Sequence, residues 1–509
     1  VSIHAVRVAM LLHKSVVSDS RVRREAAALA RAGHDVVVLE LAAVAEPRLD
    51  GFRRRSVLPP AWLRRHLPFH LYRVAFLAWF VAGIVRERPD AVHAHDAAML
   101  LPGIAGARLS GARVGGTRVD GTRLGLVYDS HELATSVPYR ERLWALFVAR
   151  IERLVVPRCA AVITVSEGIA GRLQTRYRLA RRPTVVRNVS ALEPGGLGGL
   201  RARLGIDADT PLVLHQGAPA QARGCEVLVR ALAQLPDVHL AFLGDPERAY
   251  ARELRHTIAA HGLDERVRLL PGVPLGELLA HTAEADVGVT LLQDTCLNHR
   301  LALPNKLFEY IAAGVPVVAA ALPEILRLVE EYGVGWCVAP DDASAVAGAL
   351  RAALDGARDA SLRERLAHAA QELSWEREQL RLLELYEDLS AAENDHPVAA
   401  QQRHAHERAV AAAGTARERG KERQRATPHQ REIPAPATPS VPAPAAASAP
   451  AYAPAAAEPR AQLRQADAAR VGVRRPDTRL PDRDGAAGFQ HAAHLLEHVA
   501  HGGARSDGR

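Results

Sequence analysis

Lys306 and Glu309 stand three residues apart in the run LPNKLFEYIAAGVPVV, Leu303 to Val318. Pro304 suits the start of a helix and Gly314 its stop, and a β-branched strand follows at once. Side chains three apart share a helix face. Unpaired amides and the positive end of the helix dipole lie beside that face. A lysine and the backbone from Pro304 and Asn305 to Leu307 and Phe308 can hold a diphosphate. The carboxylate of Glu309 can hold a pair of sugar hydroxyls. A nucleotide sugar presents both groups. On spacing alone, the same pair reads first as a solvated ion pair. Composition leans toward the nucleotide-sugar reading: only Lys14, Lys306 and Lys421 are lysines among 65 basic side chains. A lysine kept in this run points to a compact charge.

A second cation, Arg223, sits in LHQGAPAQARG, Leu214 to Gly224. A strand, a loop with Gly217 and Gly224, and a following helix suit a phosphate; a surface arginine capping a loop fits the same letters. In the first half, DAVHAHDAAML places His93 and His95 at a strand end, on one face because strand side chains alternate. A histidine there can orient a hydroxyl, its pKa lying near neutrality, or serve as a hydrogen-bonded structural residue. Asp129, His131 and Glu132, in LVYDSHEL, form a polar cluster at a neighbouring strand end, and Asp19 opens the first helical run. No His-x3-His helix or paired-carboxylate spacing supports a metal, so none is expected.

The elements that position these residues alternate strand and helix. Strands are expected at Val6–Leu12, Val36–Leu41, Ala91–Ala94, Leu126–Tyr128 and Val162–Val165. In the second half they fall at Leu212–His215, Leu240–Leu243, Val267–Leu270, Val287–Leu291 and Val315–Ala319. Helices are expected at Arg21–Ala32, Glu141–Arg158 and Trp375–Leu389, among others. The alternation predicts an α/β protein with two doubly wound, Rossmann-like parallel sheets joined near 188–200. Ligands gather at strand carboxyl ends, which places the chemistry in a central cleft between the domains.

Taken in order, these runs resemble those of family 4 glycosyltransferases, retaining enzymes of the GT-B fold, over roughly residues 6 to 392. DSRVRREAAALARAGHDVVVL (Asp19–Leu39), ITVSEGIAGRL (Ile163–Leu173) and VVRNV (Val185–Val189) add to the likeness. The resemblance implies an acceptor domain at 1–190, a nucleotide-sugar donor domain at 200–375 and a terminal helix at 376–393 crossing back. It casts Lys306 and Arg223 as stabilisers of the leaving diphosphate, Glu309 as the ribose ligand and His95 as the catalytic histidine. His93, Asp19, Asp129, His131 and Glu132 become acceptor-side candidates, and no metal cofactor is implied. Two departures stand out. The first glutamate of the family's E-x7-E motif is Leu301 here, and the basic residue often found after the first loop glycine is Ala218.

The chain has 509 residues, 48% hydrophobic and 4% aromatic, with a net charge of +8. That charge is too small for this length to demand nucleic acid. Four widely spaced cysteines fit a reducing cytoplasm, and the opening residues read as a strand rather than a secretory leader. Residues 394–509, rich in Ala, Pro and Arg, are expected to be a disordered tail. Gly111–Gly125 reads as an inserted surface loop. The arginine- and aromatic-rich stretch Arg53–Arg86 fits either a buried helix or a peripheral contact with the anionic inner face of the plasma membrane. The expected function is retaining transfer from a nucleotide sugar to a hydroxyl-bearing glycan or lipid-linked glycan, in bacterial envelope synthesis. A sugar-nucleotide epimerase of the same fold and a non-catalytic partner subunit are the alternatives. A nicotinamide dehydrogenase is disfavoured, since no G-x-G-x-x-G follows the first strand.

Overall fold

The computed structural model describes residues 5–66, 69–111, 124–136, 142–190 and 198–394. The tail expected from 394 onward and most of the Gly111–Gly125 insertion lie outside these residues. The first half builds a sheet from β1 (Arg7–Leu12), β2 (Asp35–Glu40), β3 (Arg48–Leu49), β4 (Phe52–Ser56), β5 (Ala91–His95), β6 (Leu124–Ser130), β7 (Cys159–Thr164) and β8 (Thr184–Val185). Its order is β3-β4-β2-β1-β5-β6-β7-β8, parallel throughout except between β3 and β4. The second half builds β9 (Leu212–Gln216), β10 (His239–Leu243), β11 (Val267–Leu270), β12 (Val287–Thr290), β13 (Val317–Ala320) and β14 (Gly335–Val338). These form an all-parallel sheet in the order β11-β10-β9-β12-β13-β14.

The central strands are near-continuous apolar runs because helices cover both faces. Val8–Leu12 and Val36–Leu39 are buried in the first sheet, and Leu212–Leu214 and Val317–Ala320 in the second. Four strands, β3, β4, β8 and β14, were not expected. β3 and β8 are only two residues long. β4 carries three consecutive arginines, a pattern that reads as surface. Arg54 is buried there because its guanidinium meets Glu40 of β2 at 2.7 Å. Arg53 bridges Asp35 and Glu87, and Arg55 also pairs with Glu87. The arginines of β4 therefore tie the sheet edge to the helix Phe69–Glu87. Phe80 and Ile84 of that helix are buried in the core of the first half. Among the described residues, no helix is long and apolar enough to cross a membrane.

In each sheet the chain order reverses at one strand pair, β1/β5 and β9/β12, and crevices for ligands open at the carboxyl ends there. The second crevice is braced by Tyr310, on the helix Asn305–Ala312. Its buried hydroxyl accepts the Gln216 amide at 2.8 Å and lies 3.0 Å from the Leu214 carbonyl and 3.2 Å from that of Val289. The Tyr310 ring rests on Gly288, where any Cβ would overlap the ring. Gly288→Ala should therefore cost about 1–3 kcal/mol by overpacking. A urea midpoint that drops with the slope unchanged checks this, and an unmoved midpoint contradicts it.

The final helix, Trp375–Asn394, returns to the first half. Leu382, Tyr386 and Leu389 share a core with β1 and the helix Ser20–Arg31. Its buried Glu378 accepts from the Arg187 amide at 2.7 Å and from the Arg187 guanidinium at 2.9 Å.

Candidate functional site

On the second half, the strand β9 ends in Gly217 at φ +81°, and Gly244 lies so close that a Cβ on it would overlap the Gly217–Ala218 peptide. The loop then holds Arg223 between two left-handed residues, Ala222 at φ +59° and Gly224 at φ +70°. A side chain at 224 would meet the Leu291 carbonyl at 2.7 Å, so glycine is required there. Arg223 is half-buried and makes no ion pair with another described residue.

Lys306 projects toward the same loop: a Cβ on Gly217 would lie 3.2 Å from its Cε. Its Nζ donates to Nε2 of buried His215 at 3.2 Å, and no carboxylate among the described residues lies within ion-pair distance. Burial first, and Arg223 second, pull the ammonium down to about 8. His215 is held well below the ordinary imidazole range by burial, then by Lys306 and Arg223, so it stays neutral and accepts. Two cations thus converge with no carboxylate at ion-pair distance, a repulsion that a bound diphosphate would relieve.

Pro304 is the extended N-cap of the Asn305–Ala312 helix and makes no side-chain cap, leaving the first-turn amides of Asn305 and Lys306 as donors. Leu307 and Phe308 point into the core of the second half, so only their backbone can face a ligand. Glu309 is half-buried and accepts from Ser190 Oγ at 2.8 Å. Burial pushes its carboxyl up, while Ser190, Lys306 and Arg24 hold it back.

On the first half the structure brings His93, His95, Asp129 and His131 together, joined by two residues that sequence reading passed over, Arg21 and Glu25. Arg21 grips both Asp129 oxygens at 2.9 Å and reaches Glu25 at 3.0 Å. His95 Nδ1 lies 3.2 Å from Asp129 Oδ2, and His131 Nε2 lies 2.9 Å from it. His95, expected as the catalytic histidine, is fully buried and cannot touch a substrate in this conformation. The groups that reach solvent here are His131, 17% exposed, and Asp96, 24% exposed, 3.6 Å apart. Burial opposes charging of His131, but Asp96 and Asp129 outweigh it and raise it to about 9, an imidazolium at neutral pH. Asp96 holds a left-handed φ of +64°, strained for a non-glycine residue, just beyond β5. Asp19 caps its helix through the Val22 amide and pairs with Lys14 at 2.9 Å; burial opposes its charge, yet Lys14 carries it down to about 2. Glu132 contributes its carbonyl to Ser130 Oγ.

The loops at these strand ends meet. The Leu133 amide donates to Asn298 Oδ1 at 2.7 Å, and Ser166 Oγ donates to the Leu301 carbonyl at 2.6 Å. The Leu301 side chain packs against the core of the first half. An apolar residue at this position therefore serves the contact between halves, where the related motif has a carboxylate.

Two parallel α/β domains whose strand-end loops meet over paired cations and a polar histidine cluster define a GT-B architecture. The chain belongs to the family 4 glycosyltransferases: the description "Glycosyltransferase Family 4" matches residues 19–190, and "Glycosyl transferases group 1" matches 199–373. It is similar to D-inositol 3-phosphate glycosyltransferase of Xylanimonas cellulosilytica, 32% identical over 37% of this chain and 44% of that protein. The corresponding enzyme 1 of Catenulispora acidiphila is 28% identical over 61% of this chain and 75% of its own. The chain thus spans less than half the length of the first of these relatives. Among solved structures, sucrose-phosphate synthase from Thermosynechococcus elongatus shares the fold at a TM-score of 0.60, 21% identical over 76% of this chain and all of that one. So does HepE of Anabaena in complex with UDP-glucose, TM-score 0.58, 20% identical over 74% and 98%.

Proposed function

We propose that this protein transfers a sugar, with retention, from a nucleoside diphosphate sugar to an acceptor hydroxyl. The observation that carries the reading is the convergence of Lys306 and Arg223, neither paired with a carboxylate, on the amides that open the Asn305–Ala312 helix. Charge grows on the β-phosphate as the glycosidic bond breaks, and fixed cations there lower the barrier. Glu309 would receive the ribose hydroxyls. Imidazolium His131 and Asp96 are the groups open to the acceptor side, with His95 behind them as a positioning residue. Because Lys306 and Arg223 already meet the diphosphate charge, the donor step needs no metal in this account. A relative's solved complex with UDP-glucose supports a nucleotide-sugar donor of this kind, and envelope glycan synthesis is the context we favour.

Incubation with UDP, GDP and ADP sugars tests the reading. Release of nucleoside diphosphate, with an α-linked product from an α-linked donor by NMR, is expected. Isomerised nucleotide sugar without an acceptor would instead indicate an epimerase, and no turnover with any donor a non-catalytic subunit. Affinity for a nucleoside diphosphate should also fall as pH rises above about 8, where Lys306 loses its proton. Lys306→Arg, which does not titrate in this range, should flatten that decline. A wild-type profile flat from pH 7 to 10 contradicts the assignment of Lys306. The arginine- and aromatic-rich stretch Arg53–Arg86, with exposed Trp62 and Trp79, is the segment proposed to contact an anionic membrane surface. Cosedimentation with anionic vesicles should fall with added salt; binding indifferent to lipid charge and salt would count against it.

A further inference from the structure

Behind His131 and Asp96, the polar cluster of the first half holds buried polar atoms whose lack of partners the transfer reaction does not explain. Glu25, His93, His95 and Asp129 are all fully buried, and one ligand-capable atom from each lies within 4.8 Å of the others. Four of their atoms have no hydrogen-bond partner: both Glu25 oxygens, His93 Nε2 and His95 Nε2. Arg21 Nε does approach Glu25 Oε1 at 3.0 Å, as a charge contact without hydrogen-bond geometry. Unpaired buried polar atoms are uncommon, and a group of them facing one another calls for an occupant.

The partners of the outer ring nitrogens fix what the inner ones offer. His95 Nδ1 lies 3.2 Å from both Asp129 Oδ2 and His131 Nε2; with the His131 Nε2 proton given to Asp129 at 2.9 Å, His95 Nδ1 also donates to Asp129 and leaves Nε2 a lone pair. His93 Nδ1 faces the Tyr386 hydroxyl at 3.0 Å and donates in the same way when Nε2 turns to a ligand. The two rings stack with centroids 4.4 Å apart. His93 Nε2 and Glu25 Oε2 are 3.9 Å apart. The inner surface is therefore all acceptors: two imidazole lone pairs and a carboxylate. One water has two protons and cannot satisfy four acceptors, whereas a cation can. A histidine whose far nitrogen donates to a carboxylate or hydroxyl is the arrangement that orients metal-bound imidazoles.

We propose that Glu25, His93 and His95 bind a divalent transition-metal ion, Zn2+ by the nitrogen-and-carboxylate donor set, with Asp129 at the edge of the site. The site is closed to solvent and locks the helix Ser20–Arg31 to β5, and through Tyr386 it reaches the terminal helix. It is a structural centre, separate from the diphosphate and independent of the donor reading. Arg21 and Glu25 are four residues apart on one helix, the spacing of an ordinary ion pair.

The test is metal content by mass spectrometry of the full chain, produced without a histidine tag and passed over a chelating resin. About one equivalent of Zn2+ per chain is expected. Stripping with a strong chelator should lower Tm, Zn2+ should restore it, and Co2+ should give a visible absorption band in its place. Glu25→Gln and His93→Asn should each lower occupancy at least tenfold. Histidines outside the described residues, such as His404 and His406, offer other ligands. Zn2+ retained in both variants would assign the metal to those and overturn the proposal. Metal-free wild-type protein whose Tm ignores added Zn2+ would overturn it without reference to any variant.

Discussion

Lys306→Ala should weaken nucleoside diphosphate binding about tenfold to a hundredfold and leave the bare nucleoside bound as before. The change removes a charge-assisted contact worth roughly 1.5–3 kcal/mol. Two features enlarge the effect. The ammonium is half-buried beside His215, which supplies no charge in its place, and Arg223 alone would remain to face the phosphates. Glu309→Gln should show the complementary defect, weakening the nucleoside itself, because its proposed partner is the ribose. It retains the bond from Ser190 through its amide oxygen. Calorimetry with nucleoside, nucleoside diphosphate and nucleotide sugar separates the two. Wild-type affinities throughout would remove both residues from the donor site.

Arg21→Ala should be the most destabilising single change in the first half. It strips a fully buried bidentate partner from Asp129, a contact from Glu25 and a 2.8 Å donor from the Val186 carbonyl. Burial alone would raise the Asp129 carboxyl; Arg21 chiefly, with His131 and His95, holds it well below the ordinary range instead. Leaving a buried charge without its partner costs about 3–5 kcal/mol. Urea unfolding measures the loss. A variant within about 0.5 kcal/mol of wild type would mean that the network adjusts without Arg21.

The architecture was legible because its signals are long and periodic. Buried parallel strands such as Val36–Leu39 and Val317–Ala320 read as apolar runs, and Gly314 stops its helix at a positive φ of +70°. β4 escaped because FRRRS turns inward only through partners distant in sequence, Glu40 and Glu87. The nearness of Lys306 to the Gly217–Gly224 loop was also legible, since both belong to local motifs. The histidine cluster was legible in membership but not in depth. The letters HAHD and YDSHE bring these residues to strand ends, yet only the packing of the Trp375–Asn394 helix and Arg21 decides that His95 is buried and His131 reaches solvent. Asp96 was the signal passed over, written beside His95 in the same motif. Leu301 stood in the sequence as a departure from the family's motif; in the fold it is an apolar contact between the two halves.

The most direct test of the central claim is a crystal structure of the full chain with a nucleoside diphosphate bound. The account predicts the β-phosphate within hydrogen-bond distance of Lys306 Nζ and the amides of Asn305 and Lys306, with the ribose hydroxyls on Glu309 and Arg223 closing over the phosphates. A nucleotide bound at saturating concentration elsewhere, with Lys306 still donating to His215 and Glu309 accepting from no ligand, would contradict it.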